Sequence, residues 1–151
     1  MKNVTKNVYN MVETERNIVR TFVKRDDFMD RNVTKEFEKW LKSTRKTALF
    51  VDGARQIGKT YSLREFGRAH YTHFAELNFL EDPAAKAIFD GNLDADTLVT
   101  NLTAYLRTPL EPGNTVVFFD EIQECPNART AIKFLVEDGR FDYMESGSLL
   151  G

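Results

Sequence analysis

One segment of eight residues, GARQIGKT at residues 53–60, constrains this chain more than any other. It fits the pattern G-x-x-x-x-G-K-[ST] without a mismatch. An apolar run at residues 48–51 precedes it, and apolar residues at helical spacing follow it. The pattern therefore predicts a buried strand that turns through glycines into a helix, which is typical of domains with alternating strands and helices.

The fixed positions of this segment suit a phosphate group. Gly53 and Gly58 let the backbone turn tightly, and successive N–H groups, with the start of the helix, then face an anion. We expect Lys59 to reach the β- and γ-phosphates of a nucleotide and the Thr60 hydroxyl to bind Mg²⁺. The alternative is an ordinary glycine turn with an exposed lysine. The residues assigned to nucleotide binding are Gly53, Ala54, Arg55, Gln56, Ile57, Gly58, Lys59, Thr60 and Tyr61.

A second apolar run, VVFF at residues 116–119, ends in two carboxylates, Asp120 and Glu121. Ligands of open α/β sheets bind at the edge where such strands end. Asp120 is expected to hold Mg²⁺, directly or through water, and Glu121 to polarise an attacking water as a general base. The alternative is a strand that merely ends in solvated acids.

The remaining pattern predicts strands at residues 72–79 and 141–145, with helices at 34–46, 59–70, 84–90, from Asp94 or Asp96 onwards, and at 128–137. The fold class is α/β, a P-loop NTPase with a mostly parallel sheet flanked by helices. We expect the strand order second, third, fourth, first, with the strand at 48–51 outermost. Ser146 or Ser148 then lies near the nucleotide as a contact to the γ-phosphate. The choice between these serines, and the alternative of a turn serine, stays open.

Composition sets the remaining expectations. Residues 1–32 are polar and weakly periodic and are assigned to a polar, partly disordered leader, so that the core spans residues 33–151. Residues 1–46 carry 12 Lys and Arg against 7 Asp and Glu, and the alternative is a basic leader that contacts nucleic acid or a partner. One cysteine, Cys125, is typical of a reduced, cytoplasmic protein, and there is no long apolar run for a membrane. Residues 47–151 carry 9 Lys and Arg against 16 Asp and Glu, a balance of −7 that disfavours direct nucleic-acid binding.

The chain resembles the prokaryotic AAA-type ATPases that are often fused to a C-terminal domain of unknown function. The resemblance rests on the motifs above and on five further segments: YSLREF at residues 61–66, LNF at 77–79, FFDEIQECP at 118–126, and the closing segments at 137–142 and 146–148. The resemblance covers residues 30–151. It implies binding and hydrolysis of ATP with Mg²⁺. Members of that family are longer, so the chain resembles a truncated AAA-type core that lacks a fifth core strand, a nucleotide lid and the C-terminal domain.

Several functions stay open at this point. The leading hypothesis is an ATPase module that drives or gates the missing domain or a partner protein. The alternatives are a nucleotide switch that does not hydrolyse ATP, a small-molecule kinase, and an ATPase acting in DNA transactions. A homo-oligomer is also left open, since Arg129 and Arg140 are candidates for arginine fingers reaching a neighbouring subunit, against the alternative of surface charge.

Overall fold

The computed structural model describes residues 8–11, 18–23, 31–52 and 58–148. Strands and helices alternate along most of this length, as the sequence pattern predicts. Two short 3₁₀ helices, Pro83–Phe89 and Ile122–Glu124, lie between the longer elements. Those elements, in chain order, are β1 (Val8–Met11), β2 (Ile18–Val23), α1 (Arg31–Lys42), β3 (Ala48–Asp52), α2 (Lys59–His70), β4 (His73–Asn78), α3 (Ala95–Leu106), β5 (Thr115–Asp120), α4 (Pro126–Asp138) and β6 (Asp142–Gly147).

The described strands form one sheet in the order β1-β2-β3-β6-β5-β4. In this sheet order, every neighbouring pair from β2 across β3, β6 and β5 to β4 is parallel, and β1 runs antiparallel to β2. The predicted order of the four strands in the P-loop core, second, third, fourth, first, is confirmed as β4-β5-β6-β3. The mostly parallel α/β class is confirmed with it.

The expectation that β3 is the outermost strand of the sheet is wrong. Strand β2 pairs in parallel with β3 from Ile18 to Phe22, in the position where the sequence suggested that a fifth strand was missing. Both β1 and β2 lie within residues 1–32, which composition assigned to a polar, partly disordered leader. The prediction missed β2 because its β-branched and aromatic run, IVRTFV, is only six residues long and lies among polar residues.

Helices cover both faces of the core strands. Val116 and Phe118 face α1 and α2, whereas Val117 and Phe119 face α3 and α4, so every residue of β5 is buried. A strand covered on both faces carries apolar residues without alternation, and this explains the continuous runs that the sequence shows in β3 and β5. The polar residues of these strands are therefore confined to the strand ends.

The ends of the helices differ in detail from the sequence prediction. Helix α1 begins at Arg31 and not after an N-cap at Thr34. Asp94, and not Asp96, caps α3, since its carboxylate accepts a hydrogen bond from the Thr97 N–H at 2.9 Å. Helix α2 has its predicted bounds, and β6 extends to Gly147, two residues beyond the predicted end. This extension carries Ser146 inside the sheet.

Candidate functional site

The parallel strands β3, β4, β5 and β6 end at the same edge of the sheet. Their last residues are Asp52, Asn78, Asp120 and Gly147, so three of the four strands end in a polar side chain. Helix α2 begins at this edge with Lys59, after Gly58 in a left-handed conformation (φ 85°) that favours glycine. Residues 53–57, which carry Gly53, Ala54, Arg55, Gln56 and Ile57, lie outside the described residues.

Asp120 is the centre of the hydrogen bonds at this edge. Its Oδ2 atom accepts from the Thr60 hydroxyl at 3.0 Å and from the Asn78 amide at 3.2 Å. Its Oδ1 atom accepts from the Ser146 hydroxyl and from the backbone N–H of Glu121. The fold thus brings together residues from β5, α2, β4 and β6 around one carboxylate.

The electrostatics of Asp120 follow from its burial. The side chain is 2% exposed, and this burial raises the pKa of its carboxyl above the ordinary value. The hydrogen bonds from Ser146 and Thr60 oppose the rise, and the nearby carboxylates of Glu121 and Glu76 add to it. A buried carboxylate that is costly to ionise gains from a cation placed against it.

Lys59 is buried beside the end of β6. Its ammonium group donates to the backbone carbonyl of Gly147 at 3.1 Å. Thr60, the next residue on α2, reaches Asp120. Consecutive residues of the helix start therefore contact the ends of two neighbouring strands, which fixes the start of α2 against the sheet.

Glu121 follows β5 in a left-handed conformation (φ 55°, ψ 48°). Left-handed backbone is costly for a residue other than glycine, and it is common at functional sites. The carboxylate accepts a hydrogen bond from the Gln123 side-chain amide at 2.7 Å. Glu121 is half-buried, so its carboxylate lies at the boundary between the strand ends and the solvent.

Comparison with known protein families shows the family to which this chain belongs. The AAA domain family matches residues 45–151, which is more than two thirds of the chain. The chain belongs to the AAA domain family. Its fold is thus that of a nucleotide-binding ATPase domain. A comparison with curated proteins finds no match, and a comparison with solved structures also finds none.

The edge of this AAA domain carries carboxylate and hydroxyl oxygens, the kinds of ligand that Mg²⁺ accepts. Mg²⁺ is bound through one or two carboxylates, with hydroxyl, water and substrate phosphate oxygens completing an octahedron. Adjacent ligands of such an octahedron are about 3 Å apart, because each lies about 2.1 Å from the ion. The Thr60 Oγ1 and Asp120 Oδ2 atoms are 3.0 Å apart, so they fit two adjacent positions. Clusters of three or more His, Cys, Asp or Glu residues, the signature of other metal sites, do not occur in the described part of the chain.

The two serines that the sequence left open differ in their surroundings. Ser146 is buried on β6, and its hydroxyl donates to Asp120. Ser148 lies just beyond the strand, where its backbone N–H, and not its hydroxyl, donates to the Gln123 side-chain oxygen at 3.2 Å. The geometry therefore favours Ser146 over Ser148 as the serine that takes part in the site.

Sequence reasoning missed Asn78 and Gln123 as members of the site. Asn78 ends β4 and links Asp120 to the following turn, since its side-chain oxygen also accepts from the N–H groups of Leu80 and Glu81 at 2.9 Å. Its signal was the polar residue at the end of a core strand. Gln123 had no comparable signal, because its role depends on a 3₁₀ turn that brings it back to Glu121.

Tyr61, a predicted nucleotide contact, is the residue after Thr60 on α2. Its ring is 56% exposed, and it lines a groove of about 390 Å³ between α1 and α2. Val33 and Phe37 of α1 form the opposite side of that groove. On α2 the groove is lined from Tyr61, in the first turn, to His70 at the end of the helix.

The two arginines proposed as fingers make contacts within this chain. Arg129, on the first turn of α4, donates to the fully buried carboxylate of Glu145 at 3.1 Å and lies over the Phe50 ring. Arg140 pairs with Asp138 and Asp96 at the opposite end of the sheet. Both contacts favour an internal structural role over a reach towards a neighbouring subunit.

Cys125 and the described helices bear on the remaining expectations. Cys125 is buried, and this burial raises the pKa of its thiol, which suits packing better than nucleophilic chemistry. Within the described ranges, every helix is too short or too polar to cross a membrane.

Proposed function

We propose that this AAA domain binds ATP together with Mg²⁺ at the carboxyl edge of its sheet and hydrolyses the bond between the β- and γ-phosphates. The observation that carries the proposal is the contact of Thr60 Oγ1 with Asp120 Oδ2 at 3.0 Å. It joins the end of the GARQIGKT segment to the acidic strand end, across 60 residues of sequence. An ordinary glycine turn would have no reason to meet a buried carboxylate in this way.

Lys59 and the residues before it would hold the phosphates. In this structure the Lys59 ammonium donates to a neutral acceptor, the Gly147 carbonyl. A phosphate oxygen carries negative charge and forms a stronger hydrogen bond with an ammonium group than a carbonyl does. Lys59 would therefore move from Gly147 to the β- and γ-phosphates. The loop residues Gly53, Ala54, Arg55, Gln56, Ile57 and Gly58 would offer backbone N–H groups, and Tyr61 would lie beside the rest of the nucleotide.

Thr60 and Asp120 would hold the metal ion, and Ser146 would keep the Asp120 carboxylate in place. When bound, Mg²⁺ neutralises charge on the phosphate oxygens during transfer. Asp120 is suited to this because burial already makes its ionised form costly, and a cation relieves that cost. Ser146 also lies on the strand next to Lys59, where its hydroxyl could contact the γ-phosphate.

Glu121 would act as the general base. Its carboxylate would accept a proton from water while the water oxygen attacks the γ-phosphorus, and the bond to the bridging oxygen of ADP would break. The products would be ADP and inorganic phosphate. In line with the resemblance described above, ATP hydrolysis would drive the movement of a further domain, a partner protein or a second copy of the chain.

The binding claim is tested with a fluorescent ATP analogue titrated into the chain with and without Mg²⁺. Lys59→Ala should weaken binding by at least tenfold, because it removes a buried cation from the phosphate site. Lys133→Ala is the matched control, since Lys133 is an exposed lysine on the outer side of α4, and it should bind as the wild type does. Equal binding by wild type and Lys59→Ala would refute the claim.

The hydrolysis claim is tested by phosphate release from Mg²⁺-ATP. Glu121→Gln should bind the analogue normally and lower turnover by about 10²–10⁴-fold, the usual contribution of a general base. If the wild type binds ATP with an affinity that depends on Lys59 but does not hydrolyse it, the protein would instead act as a nucleotide switch.

A further inference from the structure

A single peptide group, between Gly147 and Ser148, lies between the lysine of the phosphate segment and a side chain near the acidic pair. Its carbonyl accepts from the Lys59 ammonium at 3.1 Å. Its N–H donates to the Gln123 Oε1 atom at 3.2 Å. The Gln123 Nε2 atom in turn donates to Glu121 Oε1 at 2.7 Å. Four groups are thereby connected in series from Lys59 to Glu121.

We propose that Gln123 is a positioning residue that connects the state of Lys59 to the orientation of the Glu121 carboxylate. The proposal rests on the proposed function, in which Lys59 leaves the Gly147 carbonyl when phosphate is bound. The carbonyl of the 147–148 peptide then loses its hydrogen bond from Lys59. Gln123, bonded to the other side of the same peptide, transmits the change to the proposed general base.

The fit of Gln123 against β6 supports this connection. A Cβ atom placed on Gly147 would lie 2.5 Å from Gln123 Oε1, closer than real contacts allow. Gly147 therefore permits the Gln123 amide to approach the backbone at the strand end, and any larger residue would displace it. Both the peptide geometry and the absence of a side chain at position 147 keep this amide in contact with β6.

The backbone after β5 supplies the other half of the connection. Glu121 adopts its left-handed conformation immediately before the 3₁₀ helix Ile122–Glu124, which the Glu124 N–H closes by donating to the Glu121 carbonyl at 3.0 Å. This turn brings the side chain of position 123 back to position 121. A regular helix would not bring the side chains of residues two apart together.

A primary amide is the side chain that this position requires. The Ser148 N–H needs an acceptor, and the Glu121 carboxylate needs a donor, and one glutamine provides both from the two ends of its amide. The acceptor end must face Ser148 because a backbone N–H can only donate, so the orientation of the amide is fixed. A glutamate at position 123 would keep the acceptor and lose the donor, and a methionine would lose both.

The connection is tested first without nucleotide, by NMR of the ¹⁵N-labelled chain. Lys59→Met should shift the Gln123 side-chain amide resonance, because it removes the bond to the Gly147 carbonyl, while the exposed-site control Lys133→Met should leave it in place. Gln123→Met should make hydrogen exchange at the Ser148 amide about fivefold faster, the effect of one typical protein hydrogen bond. Gln123→Glu should keep that protection within about twofold, since it retains the acceptor. The same amide in Glu124→Met, a neighbouring substitution on the same turn, should exchange at the wild-type rate.

The second measurement adds Mg²⁺ and a slowly hydrolysed ATP analogue to the wild-type protein, with binding followed separately by fluorescence. We expect saturation to shift the Gln123 side-chain resonance in the same direction as Lys59→Met does. The role of Gln123 would be overturned if its side-chain resonance did not shift when the analogue saturates the protein. It would also be overturned if that resonance did not shift in Lys59→Met. Neither result would affect the claim that the chain binds ATP. A chain that fails to bind the analogue would overturn the proposed function itself, and the fluorescence signal identifies that case.

Discussion

Two buried carboxylates on neighbouring strands, Asp120 of β5 and Glu145 of β6, have different environments. Glu145 is 0% exposed and accepts a hydrogen bond from a cation, Arg129, at 3.1 Å. Asp120 is 2% exposed and accepts its hydrogen bonds from uncharged groups, namely the hydroxyls of Thr60 and Ser146, the Asn78 amide and a backbone N–H. One carboxylate thus has a permanent counter-ion within the fold, and the other is held by neutral donors.

We interpret this difference as one between a structural charge, Glu145, and the charge proposed to bind the metal ion, Asp120. The charge of Glu145 is balanced within the chain by Arg129, and this pair fixes α4 against β6 and the Phe50 ring. A buried carboxylate with neutral donors keeps a raised pKa, and its ionised form is favoured when a cation arrives from outside. The exposed fraction alone does not distinguish Asp120 from Glu145, because both residues are almost fully buried.

The comparison predicts its largest effect at Arg129. Arg129→Met removes the cation and leaves the Glu145 carboxylate buried, which should lower the free energy of unfolding by about 3–5 kcal/mol. Urea denaturation measures this directly. The double variant Arg129→Met with Glu145→Leu should recover most of the loss, because no buried charge remains.

Arg140→Met is the matched control for that substitution. Its ion pairs with Asp138 and Asp96 are more exposed than the Arg129 pair, and exposed pairs contribute little to stability, so Arg140→Met should destabilise the fold much less than Arg129→Met. A loss at Arg129 no larger than that at Arg140 would remove the distinction between a structural and a functional carboxylate.

A smaller effect is expected at the serines of β6. Ser146→Ala should lower the free energy of unfolding by about 2 kcal/mol, because it deletes a hydrogen bond to a buried charged group. Ser148→Ala should change it by less than about 0.5 kcal/mol, since the described contact of Ser148 uses its backbone N–H. Equal losses in thermal or urea denaturation would mean that the Ser146 hydroxyl does not support Asp120.

The smallest effect concerns Asp120 and has the opposite sign. Because burial raises the pKa of Asp120 in the fold, its contribution to stability is present at low pH and is lost as the pH rises through the raised pKa. Asp120→Asn removes this loss, so the nucleotide-free variant should be more stable than wild type by about 1 kcal/mol near neutral pH. The same variant should lose its stabilisation by Mg²⁺-ATP.

The pH dependence provides the check. The stability advantage of Asp120→Asn over wild type should shrink as the pH falls below the raised pKa, because the wild-type carboxyl is then protonated in the fold. An advantage that is constant across pH, or a variant less stable than wild type at neutral pH, would show that ionised Asp120 is not costly in the fold.

Much of the core could be predicted from residue patterns. The apolar runs that become β3 and β5 indicated strands buried on both faces, and the start of α2 at Lys59 followed from the glycine-lysine-threonine segment. The weaker predictions concerned boundaries and edges. Thr34 was a reasonable N-cap by type, but α1 begins at Arg31. Strand β2 was missed because its β-branched and aromatic run is short and lies among polar residues.

Local sequence was sufficient to predict the places of Lys59, Thr60, Asp120 and Glu121 at a helix start and a strand end, because these places are properties of short stretches. Their proposed roles rest on residue type and spacing within one segment. Only the tertiary structure distinguished Ser146 from Ser148, gave Arg129 an internal partner and brought Asn78 and Gln123 into the site. Most of these depend on hydrogen bonds between segments distant in sequence, and the Gln123 contact depends on the conformation of a single turn. Sequence patterns encode the element that carries a side chain, whereas the packing of the sheet decides which atoms meet.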